Sequence, residues 1–208
     1  MKNNRIKVSI EEIRVPTLAL PTVCVFLVAI LIWLLSTRRA LDDARVLWPH
    51  TLLNSLCVFW LFTPMHDAAH RSISPKHYRW LNESIGHVCA VFFRAPFSLF
   101  RYVHLQHHKH TNDPEKDPDF YSGEGHAAFR PFRWLTQDFG YYHYTFLHFA
   151  KFKSSLKLSF LVELLIIFSI QICFGKYFGF FNWLMLIELV RNFLRPKKIN
   201  FWFSFAAE

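Results

Sequence analysis

The chain has 208 residues, 52% of them hydrophobic and only 19% charged, with a formal net charge of +9. That length suits one domain, and that composition excludes a typical soluble one. The basic residues sit in loops beside apolar runs rather than in an aromatic-interleaved stripe, which argues against nucleic acid and for a membrane surface.

Residues 1–14 are polar and mixed in charge. The first apolar run, Val15 to Ser36, has the length of a bilayer span, and Thr37, Arg38 and Arg39 follow it where a signal peptide would show a small-residue cleavage site. A loop from Thr37 to Arg45 leads to a second run, Val46 to Met65, which ends at a histidine cluster. Leu81 to Phe100 is apolar but holds Glu83, His87, Arg94 and Pro96. A central Arg costs a lipid-facing span roughly 2.5–3.5 kcal/mol, so this stretch is expected to be interfacial or re-entrant.

Residues 101–157 form the polar heart of the chain, with a second histidine cluster, an acidic Pro-containing turn and an aromatic run. Two further apolar runs, Leu158 to Phe174 and Tyr177 to Leu194, read as a helical hairpin about a Gly175–Lys176 turn. The four cysteines, Cys24, Cys57, Cys89 and Cys173, lie inside apolar segments with no C-x-x-C pair, as packed small hydrophobes do. The fold expected is one all-α membrane domain over residues 1–208. It has about four transmembrane helices, interfacial helices and a cytosolic cap carrying the histidines. With both clusters on one side, twenty of the 24 Lys and Arg fall there, which places the clusters and both termini in the cytosol.

The first cluster is His66-Asp67-Ala68-Ala69-His70, and its two histidines share a helix face at i, i+4. The second is His104-Leu105-Gln106-His107-His108. His104 and His108 share a face, with His107 beside them at i+3 and His110 just beyond. A lone histidine on an apolar helix is usually a satisfied core or interface residue, and His50, His77 and His87 read that way. Five histidines in two compact groups at helical spacing read as metal ligands. On ligand type alone, iron, manganese and zinc suit them about equally.

HDAAH, followed by HLQHHKHTNDPEKDPDF with Asn82 and Gly86 between, resembles the membrane fatty acid desaturase superfamily, and more narrowly bacterial fatty acid desaturases and β-carotene hydroxylases. The resemblance is strong over Leu61 to Tyr121. It implies an oxidoreductase with a non-haem di-iron centre that activates dioxygen to desaturate or hydroxylate a lipid, a fatty acyl chain first and a carotenoid next. His66, His70, His104, His107 and His108 match the first two histidine boxes. Asp67 fits the orientation of a ligand imidazole through its other nitrogen, and His110 is either a sixth ligand or a surface residue. The carboxylates of Asp113 to Asp119 are expected to be structural. Electrons would come from an external carrier such as a ferredoxin, rubredoxin or cytochrome b5, since the chain has no dinucleotide or phosphate loop. The basic face suits an acidic carrier.

The superfamily places a third box after the last apolar hairpin, whereas no histidine follows His148. Three explanations compete: a C-terminally incomplete family member, a protein that binds metal without oxygenase activity, and a site completed by another chain. The first is the expectation. His143 and His148, five apart, point about 140° from each other on a helix and share a metal poorly. A metal transporter is disfavoured, because the clusters lie at span ends rather than along a midplane path.

Overall fold

The computed structural model describes residues 16–42, 47–123 and 125–178. These are helical, with no strand among the described residues. The first pair is α1 (Leu20–Asp42) and α2 (Leu47–Ala69), followed by α3 (Arg79–Phe93) and α4 (Phe97–His110). Shorter pieces follow: α5 (Phe120–Gly123), α6 (Arg130–Leu135) and α7 (Gln137–His148). The long α8 (Ser154–Phe178) comes last.

The α1 and α2 helices pack with small and polar residues inward and leucines outward. Ala29, Ser36, Thr37 and Ala40 of α1 are buried, while Leu27, Leu31, Leu34 and Leu35 are exposed. Asn54 of α2 donates to Thr37 Oγ1 at 2.9 Å, and His50 Nδ1 lies 2.8 Å from Ser36 Oγ. Such polar contacts between helices with apolar outer faces are how helices join where the surroundings are lipid. By length and composition α1 and α8 are long and apolar enough to cross a membrane. The bent pair of α3 and α4 would count as a third if taken as one span. The α2 helix has the length, but its inward polar residues dilute its apolar content.

The chain leaves α2 through a Schellman closure. Arg71 is left-handed (φ 57), Ser72 N donates to Asp67 O at 2.9 Å, and Arg71 N donates to Ala68 O at 3.0 Å. The following loop is held by Asn82, buried on α3. Its Oδ1 accepts from Ile73 N at 3.1 Å and its Nδ2 donates to Ser74 O at 2.9 Å. Ala19 N donates to Ile73 O at 2.8 Å, so this loop lies against the start of α1.

The α3 and α4 helices meet at 96° across Arg94–Pro96, with Arg94 left-handed (φ 51). The elbow closes because Gly86 leaves room for the fully buried Phe97 ring. A Cβ at Gly86 would lie 2.1 Å from Phe97 Cζ. The α8 helix clasps this elbow from outside: Glu163 Oε2 accepts from Ser98 N at 2.9 Å, and Gln171 donates to Val91 O at 3.0 Å. A second small core joins Leu99 and Val103 of α4 to Phe152, Tyr141, Tyr144 and Phe160.

Several boundaries differ from expectation. The α1 helix runs through the expected loop start at Thr37 to Asp42, helped by an Arg38–Asp42 pair at i, i+4. The first histidine cluster begins within the last turn of α2, which holds His66 to Ala69, and His70 lies just past the helix end. The expected Gly175–Lys176 turn is helical, part of α8. A single glycine costs a helix only about 1 kcal/mol, too little to break a long apolar one. Residues 81–100 form most of α3, the elbow and the start of α4, a pair bent by 96° that is either a broken span or the re-entrant stretch expected. Residues 1–14 and all but the start of the last apolar run lie outside the described residues.

Candidate metal centre

The first histidine pair stands at the end of α2 and the second on the last turns of α4. The helix spacing of four turns His66 and His70 to one side, and His104 and His108 to the facing side. One ligand atom from each of these four imidazoles lies within 4.8 Å of every other. His70 Nε2 is 2.9 Å from His104 Nε2 and 3.2 Å from His108 Nε2, and the latter two are 3.1 Å apart. Neighbouring nitrogens on a six-coordinate metal about 2.1 Å away stand about 3.0 Å apart, so the donor set fits a transition metal.

The electrostatics suit the same purpose. Burial and the surrounding imidazoles push His104 down to about 2. Burial, then the neighbouring rings, also pushes His70 and His108 below the ordinary imidazole value. All three rings are therefore neutral at pH 7, the form that ligates metal.

Asp67 sits behind this cluster. Its Oδ2 accepts from Thr22 Oγ1 at 2.6 Å and its Oδ1 lies 3.3 Å from His66 Nδ1. Arg101 joins the two boxes. Its guanidinium pairs with Glu83 of α3, donates to the Ala68 carbonyl between the first two histidines, and stacks 4.5 Å over Phe97.

His107 stands apart from the four. Its Nδ1 lies 2.8 Å from Asp117 Oδ1 and 3.7 Å from Asp119 Oδ2. His110 ends α4 outside the four-imidazole group, its carbonyl accepting from Asp113 N at 2.8 Å. Sequence spacing missed the parts played by Asp117 and Arg101. The charge of Arg101 one turn before His104 was the available signal, and Asp117 gave none beyond its place between two prolines. Three of the other histidines have local partners. His87 lies between Glu83 O and Glu163, His126 Nδ1 accepts from Ala128 N, and His148 stacks on Tyr144.

A family model described as fatty acid desaturase matches residues 44–204, more than three quarters of the chain. The chain belongs to the fatty acid desaturase family. A β-carotene ketolase from Haematococcus lacustris is 39% identical over 64 residues, 30% of this chain and 20% of that protein. An sn-1 oleoyl-lipid 12-desaturase from Anabaena variabilis is 31% identical over 123 residues, 47% of this chain and 34% of the relative. An sn-1 acyl-lipid omega-3 desaturase (ferredoxin) from a Nostoc strain is 32% identical over 93 residues, 44% of this chain and 25% of its own length. The matches to this desaturase-family chain thus span a fifth to a third of these relatives. No solved structure matches it.

Proposed function

We propose that the chain serves in the iron-dependent, dioxygen-dependent oxidation of a long apolar lipid, an acyl chain first and a carotenoid second. The supporting observation is the set of four imidazoles converging from two helix ends beside apolar helices. Two irons are the family's expected complement, held by His66, His70, His104, His107 and His108. Bound iron would supply the activation of dioxygen and the removal of hydrogen from an unactivated C–H bond. The chain's own part is to hold ligand rings neutral and aimed, with Asp67 behind His66 and Arg101 setting the spacing of the two boxes.

The topology we propose is the expected one of about four crossings, of which α1, α2 and α8 lie among the described residues, with α3 and α4 dipping in and returning. The cluster and termini then face the cytosol with twenty of the 24 Lys and Arg. That basic face would receive an external electron carrier, a ferredoxin or cytochrome b5, by charge steering. One Nostoc relative named for ferredoxin supports this choice.

A second reading, a homologue that binds metal without oxygenase activity, is favoured by one observation. Four ligand atoms within 4.8 Å of one another make a set for a single ion. Iron analysis of detergent-purified protein, with lipid profiles of expressing cells, separates the two. Two irons per chain and new acyl double bonds support the first reading. One metal and unchanged lipids support the second, and no metal at all overturns both.

A further inference from the structure

We propose that Asp117 is a positioning residue that holds His107 in the tautomer whose Nε2 is open to a metal ion. The inference rests on the functional reading above, which makes His107 a ligand. It starts from the turn after α4. Asn112 is left-handed (φ 64), and Asp117 N donates to Asp113 O at 2.9 Å, so the chain folds back on the helix it has just left. Asp113 Oδ1 accepts from Glu115 N at 3.0 Å and Lys116 N at 3.2 Å, which stiffens the fold-back. The Asp117 side chain arrives beneath His107 only 2% exposed.

Once there, its carboxylate cannot rotate freely. Oδ2 accepts from Asn112 N at 2.8 Å, and Oδ1 accepts from Asp119 N at 2.8 Å while facing His107 Nδ1 at the same distance. An ionised carboxylate only accepts. The proton between them must therefore sit on His107 Nδ1, which in the neutral imidazole leaves the lone pair on Nε2. The acidic turn thus acts on the second box as Asp67 acts on the first, and at shorter range: 2.8 Å against 3.3 Å for His66 Nδ1.

Asp117→Asn tests the idea chemically. Its single amide oxygen can accept either from Asn112 N, which turns the NH2 toward Asp119 N and His107 and selects the opposite tautomer, or from Asp119 N and His107, which sets the NH2 against Asn112 N. Cobalt(II) is the probe, titrated into the detergent-purified full chain, with helicity checked by circular dichroism. Asp117→Asn is expected to bind cobalt roughly 10–100-fold more weakly and to give the visible spectrum of His107→Ala. The double variant should be no weaker than His107→Ala alone. Asp117→Glu, which keeps the carboxylate, should recover part of the loss. Wild-type affinity and spectrum in Asp117→Asn, or additive losses in the double variant, overturn the proposal. Nitrogen-15 histidine spectra of the metal-free wild type, assigned with His107→Gln, provide a test that needs no stable Asp117 variant. An unprotonated His107 Nε2 supports the proposal, and an Nε2–H overturns it. A wild-type chain that takes up no cobalt instead overturns the functional reading, and the nitrogen spectrum still decides the tautomer.

Discussion

Arg101 and Glu83 meet in a two-point pair, Nη1 to Oε2 at 3.0 Å and Nη2 to Oε1 at 2.9 Å. The same guanidinium donates to Ala68 O at 3.2 Å. One side chain thus ties α4 to α3 and to the end of α2, within a turn of histidines on both boxes.

Arg101→Gln is therefore expected to lower stability by about 2 kcal/mol, the scale of lost hydrogen bonds to a charged group. Unfolding in detergent, followed by helicity, measures this. Glu83 is half exposed, so Glu83→Gln should cost less, about 0.5–1 kcal/mol. Cobalt affinity should fall with Arg101→Gln as well. Unchanged affinity would show that the boxes keep their spacing without the clamp.

The metal-free chain should lose stability in acid through its imidazoles. His70, His104 and His108 are all held below the ordinary value of 6.5 in the folded state. Below pH 6.5 the unfolded chain then binds more protons than the folded one, and stability falls as pH falls. His104, down at about 2, contributes the steepest part, about 1 kcal/mol per pH unit. Melting temperature from pH 8 to 5 should drop, and His104→Gln should flatten the slope. A level profile in the wild type would sink this prediction.

Thr22→Val removes the 2.6 Å donor to Asp67 and should cost about 1 kcal/mol at neutral pH. Cobalt binding by Asp67→Asn should weaken roughly 10–100-fold. Equal cobalt affinity in Asp67→Asn and wild type would remove Asp67 from the site.

Gly86→Ala should damage the elbow, because its methyl would sit within 2.1–2.5 Å of three Phe97 ring atoms. Overpacking of this kind costs about 1–3 kcal/mol. Phe97→Leu in the same chain should relieve part of that loss. If the double variant is no more stable than Gly86→Ala, the ring is not what the glycine accommodates.

The convergence of the histidine groups was legible because the pairing of candidate ligands is local. A spacing of four on one helix needs no knowledge of the fold, and both pairs converge. The cores of α1 and α8 were legible from their unbroken apolar runs. The ends were not: Arg38 and Asp42 extend α1 past its apolar stretch, and Gly175 passes inside a helix. The Asp113 to Asp119 stretch was read as structural, and its hydrogen bonds to the turn's own backbone are that. Its contact with His107 spans ten residues across a helix end, and the left-handed Asn112 that makes the reversal has no periodic trace. Arg101 is similar, since its partners Glu83 and Ala68 lie on other helices.

The four imidazoles and the side chains that steady them, Thr22, Asp67, Glu83, Arg101 and Asp117, all precede residue 120, and α8 begins only at Ser154. During synthesis the entire four-imidazole constellation is therefore made before the helix that clasps the elbow, and on the proposed function metal loading would be open to the nascent chain.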